Sequence, residues 1–250
     1  MTGLSSPAHT AIRRLGPQPG LNDRKFYLSS SRNGFKHKAV YVAAFILTIL
    51  LAYLLGSIPT GYLVAKARGI DIRTVGSGNI GATNVFRHLG TPAGVFVLLA
   101  DAAKGLIAVM VVSNLVAGAF HITAGSQTHE WLRLVAGFTA ILGHNYTCWL
   151  HFKGGKGIAT SAGVLGALVP WSLVIILSVW LIVLALSRFV SLASIAAAAT
   201  LPFAAWLTRE SLTIIIITAL MAVLAIYKHK ANINRLLNGT ENRIGKKRAG

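Results

Sequence analysis

Residues 158–187, Ile158-Ala159-Thr160 through Leu186-Ser187 (IATSAGVLGALVPWSLVIILSVWLIVLALS), decide how this chain crosses a membrane. The thirty residues are largely apolar, and Pro170 stands inside them. Proline lacks a backbone donor, and its ring clashes with the preceding turn of a helix. Read as one helix, the stretch leaves the glycine-rich segment near residue 76 and the C-terminal tail on opposite membrane faces. Read as two helices divided at Pro170, it gives seven spans and puts every polar cluster on one face.

Charge favours the split. The shared face then carries Lys66, Arg68, Arg73, Arg87, Lys153, Lys156, Arg188 and a basic C-terminal tail. The opposite loops carry only Arg133 and Arg209. Basic loops stay cytoplasmic, so the shared face is expected to be the cytoplasmic one. The other spans fall at about 39–65, 92–120, 131–150, 189–207 and 213–227. The fold class expected is an all-α polytopic membrane protein, with seven transmembrane helices and a cytoplasm-facing active site.

Composition agrees. Of 250 residues, 54% are hydrophobic, and 24 Lys and Arg face only six Asp and Glu. A soluble nucleic-acid binder shares such a charge but not this hydropathy, so no nucleic acid is expected as partner. The basic excess suits loops at anionic lipid headgroups and anionic substrates. Cys148 is the single cysteine, and no Cys/His spacing suggests structural zinc, so neither metal nor cofactor is expected. Residues 1–38 are polar, basic and poor in periodicity, and read as a disordered N-terminal extension. Their seven basic residues would lie outside under the seven-span scheme, a conflict that points to a mis-assigned start codon. The domain plan is therefore the extension 1–38, a membrane domain 39–228, and a cytoplasmic segment 229–250 that completes the site.

Gly76-Ser77-Gly78-Asn79-Ile80-Gly81-Ala82-Thr83-Asn84-Val85-Phe86-Arg87 is a small, polar island between apolar runs. Glycines let backbone N–H groups approach a ligand closely, and successive N–H groups suit anionic oxygens. Ser77, Asn79, Thr83 and Asn84 add neutral hydrogen-bonding groups, and Arg87 can hold a phosphate bidentately. The pattern G-x-G-x-x-G within it lacks the strand–helix context of a dinucleotide site. A second cluster, His151-Phe152-Lys153-Gly154-Gly155-Lys156-Gly157-Ile158-Ala159-Thr160, follows Gly143-His144. It is not a Walker A loop, because Gly157 stands where Ser or Thr is needed. It still offers open backbone donors around one lysine, which a plain basic turn does not explain. Asp101 and Lys104 lie on one helical face and can pair, and a structural pair is favoured over direct catalysis. His144, on an apolar flank, reads as a satisfied structural histidine.

Three clusters together resemble the bacterial acyl-phosphate:glycerol-3-phosphate acyltransferase family, of the PlsY type. They are Gly76-Ser77-Gly78-Asn79 through Arg87, Gly143-His144 through Thr160, and His229…Asn232…Arg235…Glu241. Gly56-Ser57-Ile58-Pro59 and Asp101…Lys104-Gly105 also match its pattern, and the likeness covers about residues 43–246. Departures are Ile80 and Thr147, where many members have proline, and the N-terminal extension.

The resemblance implies a seven-helix inner-membrane enzyme with its motifs and C-terminus cytoplasmic. It implies transfer of a fatty acyl group from acyl phosphate to the 1-hydroxyl of glycerol 3-phosphate, giving lysophosphatidic acid and phosphate. That is the first step of phospholipid synthesis. Membrane lipid and an upstream acyl-phosphate synthase are the further partners implied.

Both substrates carry a phosphate, so two anion sites must lie close together. Acyl phosphate has a good leaving group. The protein must mainly position the hydroxyl and neutralise developing charge. Ser77, Arg87 and Lys156 are assigned to phosphate and transition-state charge. His229 and Asn232 are assigned to glycerol 3-phosphate, with His229 as general base the alternative. Arg235 and the loop groups Gly76, Gly78, Asn79, Thr83, Asn84, Gly154, Gly155 and Gly157 are expected to bind substrate. Glu241, with Asp101, Lys104 and His144, is expected to be structural. Ser77 as a covalent acyl carrier has no activating base. A small-anion transporter with broken helices is the alternative function. A membrane adaptor binding acidic lipid leaves the glycine motifs unexplained.

Overall fold

The computed structural model describes the backbone of residues 21–245 and the side chains from Lys38 onward. It divides into two units, Met1–Tyr41 and Val42–Gly250, and all the packing described below lies within the second. Of the extension expected over residues 1–38, residues 1–20 lie outside the described residues, as do the side chains of residues 21–37. Among the described residues there are helices and no strands.

Helix α1 (Leu21–Ser57) stops two residues before Pro59, and the short α2 (Thr60–Lys66) resumes after it. The break follows from the missing proline donor. At the break the carbonyl of Ile58 accepts from the Thr60 N–H and from Lys104 Nζ, each at 3.0 Å. A loop leads into α3 (Ala82–Leu89), and then α4 (Thr91–Ile107), a π-helical turn (Ala108–Val112) and α5 (Ser113–Ala119) run on as one long apolar rod.

Helix α6 (Gln127–Asn145) ends five residues short of the predicted Leu150, and a 3-10 turn (Cys148–Leu150) follows. The chain then breaks at Pro170 as expected, between α7 (Ile158–Leu168) and α8 (Pro170–Ser187). Helices α9 (Val190–Leu207), α10 (Leu212–Lys228) and α11 (Lys230–Leu237) complete the order. Helical segments thus fall where each apolar run was expected. Four of them, or five with the bent α10–α11 pair, are long and apolar enough to cross a membrane by length and composition.

Small residues bring the helices together. A Cβ on Gly56 would stand 2.1 Å from the Ala140 carbonyl oxygen, and one on Gly163 would stand 1.8 Å from that of Ala102. Backbones therefore touch directly at α1–α6 and α4–α7, the packing expected where no hydrophobic drive separates helix from lipid. Val109, Ile141, Val164 and Leu165 form a buried core beside these contacts, joined by Leu201 and Met221. Ile72, Ile80, Val85 and Val97 form a second core, which anchors the first glycine loop.

Candidate active site

The first loop is held by its own side chains. Asn84, almost fully buried, donates from Nδ2 to the carbonyls of Ile72 (3.2 Å) and Val75 (3.1 Å), and its Oδ1 accepts from the Ser77 N–H at 3.2 Å. Asn79 Oδ1 accepts from the Gly81 N–H at 2.8 Å. These amides shape the loop, and Gly76 and Gly78 take left-handed φ of +61° and +68° that side chains resist. One turn beyond Asn84 on α3, Arg87 donates to the Asn242 carbonyl at 3.3 Å.

The second loop folds back on the end of α6. The Gly154 N–H donates to the Asn145 carbonyl at 3.2 Å, and that of Gly155 to His144 at 3.0 Å. A Cβ on Gly155 would sit 2.0 Å from His144 Nε2. The following residue, Lys156, donates its ammonium to Asn232 Oδ1 on α11. Burial pushes the Lys156 amine down to about 8; Glu241 opposes that shift, while Arg235 and Arg87 add to it.

Glu241 is the hub of the third cluster. Its Oε1 accepts from Asn232 Nδ2 at 2.8 Å and Ser191 Oγ at 3.0 Å, and its Oε2 from Arg235 Nε at 2.7 Å. Burial works to raise this carboxyl, but the three donors outweigh it and hold the group below the usual range. His229 joins α10 to α11 and donates from Nδ1 to the Ala225 carbonyl at 2.8 Å, which leaves Nε2 with a lone pair. Burial, and then the Lys156 charge, lower its pKa to about 4, so the ring is neutral near pH 7.

These clusters surround one polar cavity of about 140 Å³. Of the residues predicted from sequence, Ser77, Asn79, Thr83, Asn84, Arg87, Lys156, Gly157, His229, Asn232, Arg235 and Glu241 line it, with Asp101 and His144. Gly154 and Gly155 pack on the end of α6, and Gly76 lines a neighbouring cavity. That second cavity is larger, about 640 Å³, and reaches along Val95, Phe86 and Ile244. The two share Ser77, Ala82, Thr83, Asn84, Arg87, Leu98, Trp180 and Val190.

Beneath the polar cavity, Asp101 Oδ1 accepts from Lys104 Nζ at 3.0 Å and Thr60 Oγ1 at 3.1 Å. The expected ion pair is present. One expectation fails: His144 is not satisfied. Its Nδ1 has no hydrogen-bond partner and lies 3.7 Å from Asp101 Oδ1, an oxygen already taken by Lys104 and Thr60.

Sequence reasoning missed Ser191, Ser194 and Trp180, all of which line the polar cavity. They sit in apolar helices with no motif around them. The only available signal was polar residues one turn apart at the start of α9.

A family model described as glycerol-3-phosphate acyltransferase matches residues 46–239. The glycerol-3-phosphate acyltransferase of Geotalea daltonii is 47% identical over 197 residues, covering 79% of this chain and 96% of that one. The Geobacter sulfurreducens protein of the same name is 46% identical, covering 78% and 94%. Among solved structures, the glycerol 3-phosphate form of PlsY (YgiH), an integral membrane glycerol 3-phosphate acyltransferase, superposes with a TM-score of 0.71. It is 38% identical and covers 80% of this chain and 96% of its own. Its lysophosphatidic acid form gives 0.69, also at 38% identity.

Proposed function

We infer the details of the reaction from one premise: this chain belongs to the glycerol-3-phosphate acyltransferase family. It is a multi-pass membrane enzyme of phospholipid biosynthesis that acylates glycerol 3-phosphate. The donor is an acyl phosphate, the acceptor atom is the 1-hydroxyl, and the products are lysophosphatidic acid and inorganic phosphate.

The observation that carries this reading is the pair of adjoining cavities. The polar one is lined by Arg87, Lys156 and Arg235, cations suited to phosphate groups. The other offers an apolar wall through Val95, Leu98 and Phe86, suited to an alkyl chain. A donor with a phosphate at one end and a chain at the other fits across their shared wall.

In this scheme glycerol 3-phosphate lies between Lys156, Arg235 and Asn232. Its 1-hydroxyl oxygen attacks the donor carbonyl, and the bond from carbonyl carbon to phosphate oxygen breaks. Lys156 and Arg87 neutralise charge that develops on the donor carbonyl and on the departing phosphate. A phosphate oxygen of the donor takes the hydroxyl proton, so the leaving group departs as hydrogen phosphate. His229, held neutral, accepts a hydrogen bond at Nε2 from a glycerol hydroxyl. The Glu241 carboxylate keeps Asn232 and Arg235 aimed into the cavity. Asp101, Lys104 and His144 form the floor.

The seven-span arrangement also belongs to this proposal, with α1–α2, α4–α5, α6, α7, α8, α9 and α10 as spans. The motifs and C-terminus then face the cytoplasm across the inner membrane, beside a synthase that supplies acyl phosphate. Single cysteines near Thr74, at Lys153 and near Asn238, in a Cys148→Ser background, should be labelled only from the cytoplasmic side. Periplasmic labelling of any one overturns it.

Purified protein incubated with palmitoyl phosphate and labelled glycerol 3-phosphate should release labelled lysophosphatidic acid and stoichiometric phosphate. Turnover with an acyl thioester instead of the phosphate would overturn the donor. Uptake of glycerol 3-phosphate into vesicles without product would favour the transporter.

A further inference from the structure

The wall shared by the two cavities has one large aromatic in it. Trp180 projects from α8 toward the site, whereas its neighbours Leu181 and Ile182 are exposed. Its indole Nε1 donates to Ser194 Oγ at 3.2 Å, and that hydroxyl in turn donates to the Val190 carbonyl at 2.9 Å. Ser194 is 3% exposed, so the bond is formed out of water, where leaving either group unpaired is costly. The ring is therefore fixed. Leu98 of α4 and Val190 of α9 line both cavities beside it.

Further along the larger cavity the walls change character. Val95 and Phe86 line it and are themselves 43% and 47% exposed. A chain lying there runs out along an open face toward lipid. An open groove cannot register where a chain ends. A fixed ring at the inner end can register how wide the chain is.

We propose that Trp180 is a specificity-determining residue that selects the acyl donor by its girth next to the carbonyl and not by its length. The proposal rests on the donor reading above. Straight-chain acyl phosphates pass the gap bounded by Trp180, Leu98 and Val190. A chain with a methyl branch near its carboxyl end meets the indole face. No bond is made or broken by Trp180; it acts by shape alone.

The test compares three donors with the full-length protein: hexadecanoyl phosphate, dodecanoyl phosphate and 3-methylhexadecanoyl phosphate. The branch lies one carbon beyond the position adjoining the carbonyl, which limits its effect on intrinsic reactivity. The unchanged protein should prefer the straight sixteen-carbon donor over the branched one by about tenfold or more in kcat/KM, the scale of one misplaced methylene in a fitted pocket. Trp180→Ala should bring that ratio to within about twofold, with the KM for glycerol 3-phosphate unchanged.

Trp180→Phe keeps most of the ring without the N–H and should retain most of the selectivity. It also stands in if the alanine variant does not fold. The ratio of the two straight donors should be the same in all three proteins.

Selectivity against the branch that survives in Trp180→Ala would overturn the proposal, as would a changed ratio between the straight donors. If only Trp180→Phe folds, an enlarged cost of the branch in it would overturn the proposal. Absence of turnover with every acyl phosphate in the unchanged protein is a distinct result, which removes the donor reading and this proposal with it.

Discussion

Two polar clusters in this molecule use the same kinds of residue to different ends. In the bundle, Asp101 and Lys104 pair directly at 3.0 Å, both nearly inaccessible, and Lys104 also bonds the Ile58 carbonyl at the break after α1. At the loop face, Lys156 has a neutral partner, Asn232, and the carboxylate that favours its charge, Glu241, is bonded to Asn232 and Arg235 instead. The first lysine is neutralised on the spot. The second is kept one link away from its counter-charge and is left able to attract an anion. Charge that is fully paired holds helices together, while charge held at a remove is available for chemistry.

The largest effect is expected at Lys104. Lys104→Met leaves Asp101 buried without its cation and should lower stability by about 3–5 kcal/mol, the cost of breaking a buried pair. Thermal unfolding in detergent should show the loss, and Asp101→Asn with Lys104→Met should recover much of it. An unchanged Tm in the single variant would mean the pair does not hold the bundle.

Lys156→Met should do the opposite. It keeps the stem, removes the ammonium, and should lower turnover by a factor of roughly 100, like loss of one transition-state donor. Stability should not fall. The folded-state pKa near 8 lies below the free lysine value, so folding disfavours the charge, and stability rises with pH between the two values. Lys156→Arg should restore little, because a planar fork does not occupy the point of an ammonium. Near-normal turnover in the methionine variant would leave Arg87 as the main phosphate ligand.

The clusters touch where His144 meets Gly155, and Gly155→Ala probes the joint. Its methyl would stand 2.0 Å from a buried ring. Overpacking of about 1–3 kcal/mol should appear as a KM for glycerol 3-phosphate raised roughly tenfold. A KM unchanged in that variant would show that the loop does not depend on His144.

The smallest effect expected is on pH. Activity that needs the Lys156 charge should fall as pH rises through about 8 in the unliganded enzyme. Glu241 favours that charge, so Glu241→Gln should move the falling limb of kcat/KM to lower pH, by on the order of half a unit. A limb that stays in place, or moves upward, would sever Glu241 from Lys156.

Much of this was legible from the chain. Apolar runs and Pro170 mark the helices because period and proline chemistry act locally. The glycine loops mark the site because few other sequences combine so many small residues with a single cation. What stayed hidden depends on contacts between distant segments. Asn84 reads as a ligand, yet its amide is engaged with Ile72, Val75 and Ser77, which only the folded loop reveals. His144 reads as satisfied, because nothing local tells that Thr60 and Lys104 reach Asp101 first. Ser194 and Trp180 are one apolar-helix residue apiece until α8 and α9 pack together.

The brevity of α7 has a consequence for the membrane itself. Its eleven residues rise about 16 Å at 1.5 Å each, roughly half of a hydrocarbon layer about 30 Å thick. If α7 is a span, the bilayer around it must thin, or its Gly157 end must sink below the headgroups. Mismatch of this kind costs a fraction of a kcal/mol per ångström. Thicker bilayers then strain the Lys156 loop, and thinner ones relieve it. An enzyme that makes lipid would in this way feel the thickness of the lipid already made.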